Sequence, residues 1–337
     1  MRRYYIPGLT ILCGLAAILF WRQVHPGEHA TARSLLAVVR HESAEPIQPI
    51  PTGDDLDENK VKLGESLFND RQLSHDNTVS CSSCHSLTTA GSDTRPRSIG
   101  INGQLGQINA PTVFNSGFNF KQFWDGRAAT LEDQIDGPVQ ATDEMGSTWP
   151  DVLAKLAKSA VYASSFKSLY PDGIQINNVK DAIATFERSL STPNSRFDRY
   201  LRGDQTALDT EEKRGYQIFK SYGCISCHQG VNVGGNMFQT FGVMADYFAD
   251  RGHVTKQDLG RYNVTGDEND RHVFKVPSLR NVELTAPYFH DGSAATLEDA
   301  VKVMGKYQLG RSLSEEETAA LVKFLKTLTG NYKGAPL

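Results

Sequence analysis

A stretch of 26 residues occurs twice in this chain. Ala110–Ile135 and Val276–Val301 align without a gap at a constant offset of 166 positions and share 11 of 26 residues, among them Pro111/Pro277, Asn115/Asn281 and Asp125/Asp291. The centre reads FWDGRAATLED at 123–133 and FHDGSAATLED at 289–299, so that Trp124 in one copy faces His290 in the other. Self-similarity at a fixed offset marks a repeat architecture, and two copies rather than many indicate a duplicated domain rather than a solenoid. Any fold for this chain must therefore contain two like halves.

Each copy follows the same five-residue signature. Cys81, Cys84 and His85 form CSSCH, and Cys224, Cys227 and His228 form CISCH. A Cys-x-x-Cys-His run is a c-type haem attachment pattern. Two thiols add across the porphyrin vinyl groups, and the adjacent imidazole becomes the proximal iron ligand. A structural zinc site would gather four Cys/His ligands in one place, whereas these pairs stand 143 positions apart, each with its own His. A redox dithiol needs no trailing His. The two motifs use every cysteine except Cys13, which lies in an apolar N-terminal run. Two covalent haems are expected.

The net charge of −4 with 22% charged residues excludes the basic profile of a nucleic-acid binder. The N-terminus has a different character. A short basic region, MRRYY, precedes an uncharged apolar run at 6–21, the pattern of an export signal. Residues 1–24 are read as a signal peptide or as an anchor in the inner membrane, and 25–52 as a linker. With Arg2 and Arg3 inside, the remainder lies in the periplasm, the side on which c-type haem is attached.

Apolar residues at helical spacing predict helices in 54–70 and 210–223, one ahead of each haem motif, and in 178–192. A capping box of Ser314 and Glu317 starts the last helix, and Gly330 is expected to stop it. Alternating β-branched runs are scarce. The fold class is therefore mostly all-α: two cytochrome c-like haem domains related by duplication, with long loops. The first domain is assigned to 53–193, with 331–337 returning to it, and the second to 194–330.

Whether such a chain only conducts electrons depends on the sixth position of each iron. A Met ligand raises the potential of an electron-transfer haem, while a catalytic haem keeps that position open. For the second haem the candidates are Met304, Met237 and Met244, with Met304 favoured by its sequence distance from His228 and His290 as runner-up. For the first, either Met145 closes the iron or its neighbour Glu144 projects over an open one.

The segments FWDGRA, GPVQATDEMG, VPSLRNVELTAPYFHDG and VMGKYQLG, together with both haem motifs, resemble the bacterial diheme cytochrome c peroxidases from about residue 55 to 332. The resemblance implies a peroxidase that reduces hydrogen peroxide at the N-terminal haem with electrons entering through a C-terminal His/Met haem. It implies that His85 is the proximal ligand of the first haem, and that His228 and Met304 ligate the second. Glu144 would be the catalytic acid–base, Gln134 a distal-pocket glutamine and Trp124 the tryptophan between the haems. Asn109, Thr285 and Pro287 match positions that bind one calcium ion at the domain interface. The implied partners are a small electron-donor protein (a cytochrome c or copper protein) or a membrane electron source, and a second copy in a homodimer. Many family members carry a His after the first motif that caps the resting haem; the matching residue here is Ile101, which cannot ligate iron. The first iron is then expected to be open even when both are ferric. Two other readings are a diheme electron-transfer cytochrome and a relative of the methylamine-utilisation enzymes that oxidise residues of a partner protein. The latter carry Tyr where this chain has Met304.

Overall fold

The computed structural model describes residues 45–53 and 55–337; the signal, anchor and most of the linker fall outside the described residues. Each half is built on one helix crossing. In the first, α1 (Glu58–Phe68) crosses a later helix, Ile176–Ser189; in the second, Thr210–Ser221 crosses Glu315–Lys326. In chain order the remaining principal helices are α2 (Leu131–Gln140), α3 (Trp149–Ala157), α4 (Ala160–Leu169), α6 (Arg196–Leu201) and α8 (Leu297–Leu309), which makes the crossing helices α5, α7 and α9. The two crossings are made in the same way. A Cβ added at Gly64 would lie 2.0 Å from the Ala182 carbonyl oxygen and 2.7 Å from Phe186 Cβ; one added at Gly215 would lie 2.0 Å from the Ala320 oxygen and 2.8 Å from Phe324 Cβ. Only glycine lets the backbones approach so closely. Phe186 packs edge-on to Phe68, and Phe324 packs against Phe197, Tyr216 and Phe219, so each crossing centres its own aromatic core.

The sequence repeat is a repeat of backbone as well. Gln122 bridges Ala128 and Tyr288 bridges Ala294, with φ positive at Asn115/Asn281, Phe123/Phe289 and Gly126/Gly292. Thr130 caps α2 by accepting from the Asp133 amide, and Thr296 caps α8 by accepting from that of Asp299. A Thr N-cap with acidic residues in the first turn satisfies orphan amides and complements the helix dipole, so both copies start a helix at the same place.

The halves are clasped by buried polar groups. Asn115 and Asn281, partners in the repeat, both bond the fully buried Thr192, at 2.7 and 3.1 Å. Arg280 and Asp198 form an ion pair at 2.8 Å with no exposure on either side. The Arg280 guanidinium also donates to the carbonyls of Val231 and Gln48. A buried pair of this kind is costly unless its remaining hydrogen bonds are made, and Gln48 shows what is gained. Residues 45–51, read from sequence as linker, are a strap on the second domain: Ile47 and Ile50 are fully buried, and Arg202 donates to the Ile50 carbonyl. At the other end, the hairpin of β3 (Asn331–Tyr332) and β4 (Ala335–Pro336) lies against the first domain, with Tyr332 edge-on to Phe114.

One local expectation is corrected. The last helix ends at Lys326, capped by Thr327, and not at Gly330. Gly330 serves a close approach: a Cβ there would stand 1.9 Å from the Thr192 carbonyl oxygen. The glycine-rich loop after the second motif contains a short strand, β1 (Phe238–Thr240), paired antiparallel with β2 (Val273–Lys275).

Candidate haem sites and the residues between them

A cavity of 510 Å³ has Cys224, Cys227, His228 and Met304 in its wall, which the first half completes with Asn109, Phe123 and Trp124 among others. Met304 lies inside α8, one turn and more before its end, and is the only methionine of the wall among the described residues. Met244 is 60% exposed and Met237 does not reach the wall. His228 donates its Nδ1–H to the Val233 carbonyl at 3.3 Å, which leaves Nε2 as the free ligand atom. Burial pulls its pKa down to about 4, so the imidazole is neutral and competent to bind a metal. Burial also pushes the Cys224 thiol up to about 11. No disulfide joins Cys224 to Cys227, nor Cys81 to Cys84. The donor set and the mostly apolar wall fit a covalently attached haem.

The first site repeats this arrangement. His85 donates Nδ1–H to the Gly91 carbonyl at 3.2 Å, and burial lowers its pKa. Burial, and then the charges of Glu187, Cys84 and Glu144, push the Cys81 thiol up to about 12. Glu144 also raises Cys84, which places its carboxylate in the field of both cysteines. The Glu144 side chain is open to the space on that side, yet the protein packed around it, followed by the adjacent Asp143, raises its pKa against the opposing pull of Arg127. Its carbonyl accepts from the Ile101 amide at 2.8 Å, and Ile101 is buried against Gly146. Met145 is buried in the core of the first domain with Trp149, Val152 and Leu156.

The 166-residue offset transfers one wall onto the other. Ala300, Val301 and Met304 of α8 line the second cavity, and their counterparts on α2 are Gln134, Ile135 and Pro138. The first site thus presents a half-buried amide where the second has a methyl group, and a proline where the second has its thioether. The crossing helices extend the comparison: Phe186 matches Phe324, so the buried Glu187 matches Leu325 of the second cavity wall.

Trp124 is a wall residue of the second cavity. Its indole N–H donates to the Asn109 carbonyl at 3.0 Å, and the Asn109 amide donates to the His290 carbonyl at 2.8 Å. The His290 ring meets Trp124 edge-on at 6.4 Å. His290, also on the cavity wall, is 1% exposed and donates Nε2–H to Asp258 at 2.7 Å, so that this nitrogen is engaged by a carboxylate. Burial opposes ionisation of Asp258, but hydrogen bonds from His290, Arg251 and Thr255 hold it below the usual carboxylate range. Asp258, His290 and Asp291 are close enough to hold a metal, yet the Arg251 guanidinium already bridges the two carboxylates. Asn109, Thr285 and Pro287 all line the cavity. The Asn109 amide nitrogen is engaged by the Arg95 carbonyl, which leaves its oxygen for a hard cation.

Sequence reasoning missed Asp258, Glu187, Pro138 and Lys275, the last a buried residue of the second cavity wall. Counting the repeat offset one turn past the identical core would have found Pro138. The others carry no local signal, since their significance lies in who packs beside them.

Comparison with known proteins agrees with this geometry. Residues 58–206 match the family described as di-haem cytochrome c peroxidase, and 212–329 match cytochrome c. The chain is 47% identical to the cytochrome c peroxidase Ccp of Escherichia coli over 318 residues, 94% of this chain and 67% of that one. It is also 47% identical to the cytochrome c551 peroxidase of Nitrosomonas europaea over 85% of each chain. The methylamine utilization protein MauG of Methylorubrum extorquens is 33% identical over 83% of this chain and 81% of its own. A solved MauG-like protein associated with microbial copper homeostasis superposes with a TM-score of 0.75 at 30% identity, covering 86% of this chain and 95% of the other. Two cytochrome c-like halves, each with its own Cys-x-x-Cys-His motif, are thus what sequence, structure and relatives have in common: the chain belongs to the di-haem cytochrome c peroxidase family.

Proposed function

We propose that this chain reduces hydrogen peroxide to water at the haem carried by Cys81, Cys84 and His85, with electrons entering through the haem carried by Cys224, Cys227, His228 and Met304. The observation that carries the reading is the asymmetry of the duplication. The position of Met304 on α8 is Pro138 on α2, and a proline cannot ligate iron. The haem iron supplies the Lewis-acid and redox chemistry of the reaction. The chain supplies proton handling and position. Glu144 takes a proton from one peroxide oxygen and returns it to the other as that oxygen leaves, general base and then general acid catalysis. Burial raises its pKa, the direction a carboxylate serving as both base and acid needs. Gln134 offers an amide that orients the peroxide, and two electrons with two protons turn one peroxide into two waters. Trp124, on the wall of the second cavity and bonded to Asn109, passes the electrons. Asn109, Thr285 and Pro287 hold a calcium ion at that wall.

Ile101 leaves the first iron without a histidine cap, so the all-ferric protein reacts with peroxide directly. The donor is a small cytochrome c, in keeping with the names of the peroxidase relatives, and the protein works in the periplasm after export by residues 1–24. The decisive experiment takes the exported protein, counts covalent haems by mass spectrometry and follows peroxide consumption with a reduced c-type cytochrome. Two haems and turnover are expected. A single haem, or two haems without turnover, overturns the reading.

A further inference from the structure

Lys275 is out of place by the ordinary rules of burial. It ends β2, its side chain is 7% exposed, and it forms part of the second cavity wall. No hydrogen bond or ion pair reaches its ammonium group among the described residues. Burial alone brings its pKa down to about 8. An unpaired buried ammonium is expensive, and native structures pair such groups. It is also the one Lys, Arg, Asp or Glu in that wall among the described residues. A cavity whose single permanent charge is a cation is made for an occupant with an anion at that point.

The occupant implied by Cys224, Cys227, His228 and Met304 has such a group. A haem fixed by its vinyl edge to two cysteines carries two carboxylates on the edge away from them. The Lys275 amide donates to the Trp124 carbonyl at 2.8 Å, so the lysine stands beside the tryptophan at the boundary of the two halves. We propose that Lys275 is the counter-ion of a carboxylate of the second haem, and that its charge sets the driving force for electron passage toward Trp124. The inference rests on the reading that this cavity holds a haem. A cation close to the porphyrin opposes the extra positive charge of ferric iron and so favours the ferrous state. Removing it makes the second haem a stronger reductant.

Lys275→Met keeps the length and removes the charge, and Lys275→Arg keeps the charge. Redox titration of the holoprotein, followed in the spectrum of the His/Met haem, is expected to show the Met variant shifted toward the ferric state about tenfold, a fall of about 59 mV for one electron. The Arg variant stays at the wild-type value, and the first haem is unmoved in both. Unchanged potentials in a Met variant with full haem content overturn the proposal and leave the haem reading intact. Absence of covalent haem from the second site of the wild type overturns the reading itself. Lys275→Gln is the second uncharged variant. If Met and Gln lose the haem while Arg keeps it, charge is again the requirement; if all three lose it, the position serves packing and the proposal fails.

Discussion

The two halves share a helix crossing, a cap, a pair of left-handed turns and a proximal histidine, and they differ at a handful of wall positions. At the second site the counterparts are Ala300, Met304 and Leu325; at the first they are Gln134, Pro138 and Glu187. At these positions the second wall offers methyl, isobutyl and a soft thioether, which suits an electron carrier that must not react. The first exchanges methyl for amide, thioether for proline and isobutyl for carboxyl. Function has diverged by a few side chains on a retained frame, because the frame fixes where a porphyrin can sit and the wall decides what may reach its iron.

If the crossings are equivalent, they should fail alike. Gly64→Ala and Gly215→Ala each drive a methyl group into a backbone carbonyl, and each should cost roughly 3 kcal/mol or more, in excess of the helix-propensity gain of about 1 kcal/mol. Thermal or denaturant melting of the two variants checks this. A large cost in one half only would break the structural comparison.

The next effect tests chemical divergence. Glu144→Gln retains shape and removes the proton carrier, so turnover should fall by ~10²-fold or more. Covalent haem content and the potential of the second haem should stay as they are. Steady-state peroxide kinetics provide the measurement, and a Gln variant of full activity makes Glu144 a bystander.

Glu187 offers a smaller and more local test. It is 6% exposed, one carboxyl oxygen has no partner, and burial raises its pKa to about 8. Its folded pKa exceeds the unfolded one, so the folded state binds the extra proton between about pH 4.5 and 8. Stability is therefore greatest below that window and declines as pH rises through it. Glu187→Leu, copying Leu325, should flatten the decline and add about 1–3 kcal/mol at pH 8. Melting temperatures of both proteins from pH 5 to 8 show whether the slope belongs to this residue.

The smallest effect concerns rest rather than turnover. Ile101→His restores a residue able to ligate the first iron, and it should slow the all-ferric protein while sparing the half-reduced one. Stopped-flow mixing with peroxide reads both states. A wild-type protein that is low-spin and inert until reduced would show that another residue closes the iron.

The duplication, both haem motifs and the cap at Ser314 were legible in the residues alone. These features are local: a covalent attachment needs its thiols two apart and its imidazole next to them, and a cap needs its side chain beside the first turn. The burial of 45–51 was not legible, because Ile47 and Ile50 in a linker look like any apolar residue until Asp198 and Arg280 are folded beneath them. His290 shows the same limit. Its sequence position suggested an axial ligand, while its bond to Asp258, 32 residues away, settles where its ring points. Lys275 and Glu187 read as ordinary surface charges. What they meet is decided by the packing of distant segments, and the free energy of a charge depends on its surroundings far more than on its neighbours in sequence. The sequence by itself determined that there are two like halves, each carrying a Cys-x-x-Cys-His motif; the tertiary structure alone decided which charges are buried beside those motifs.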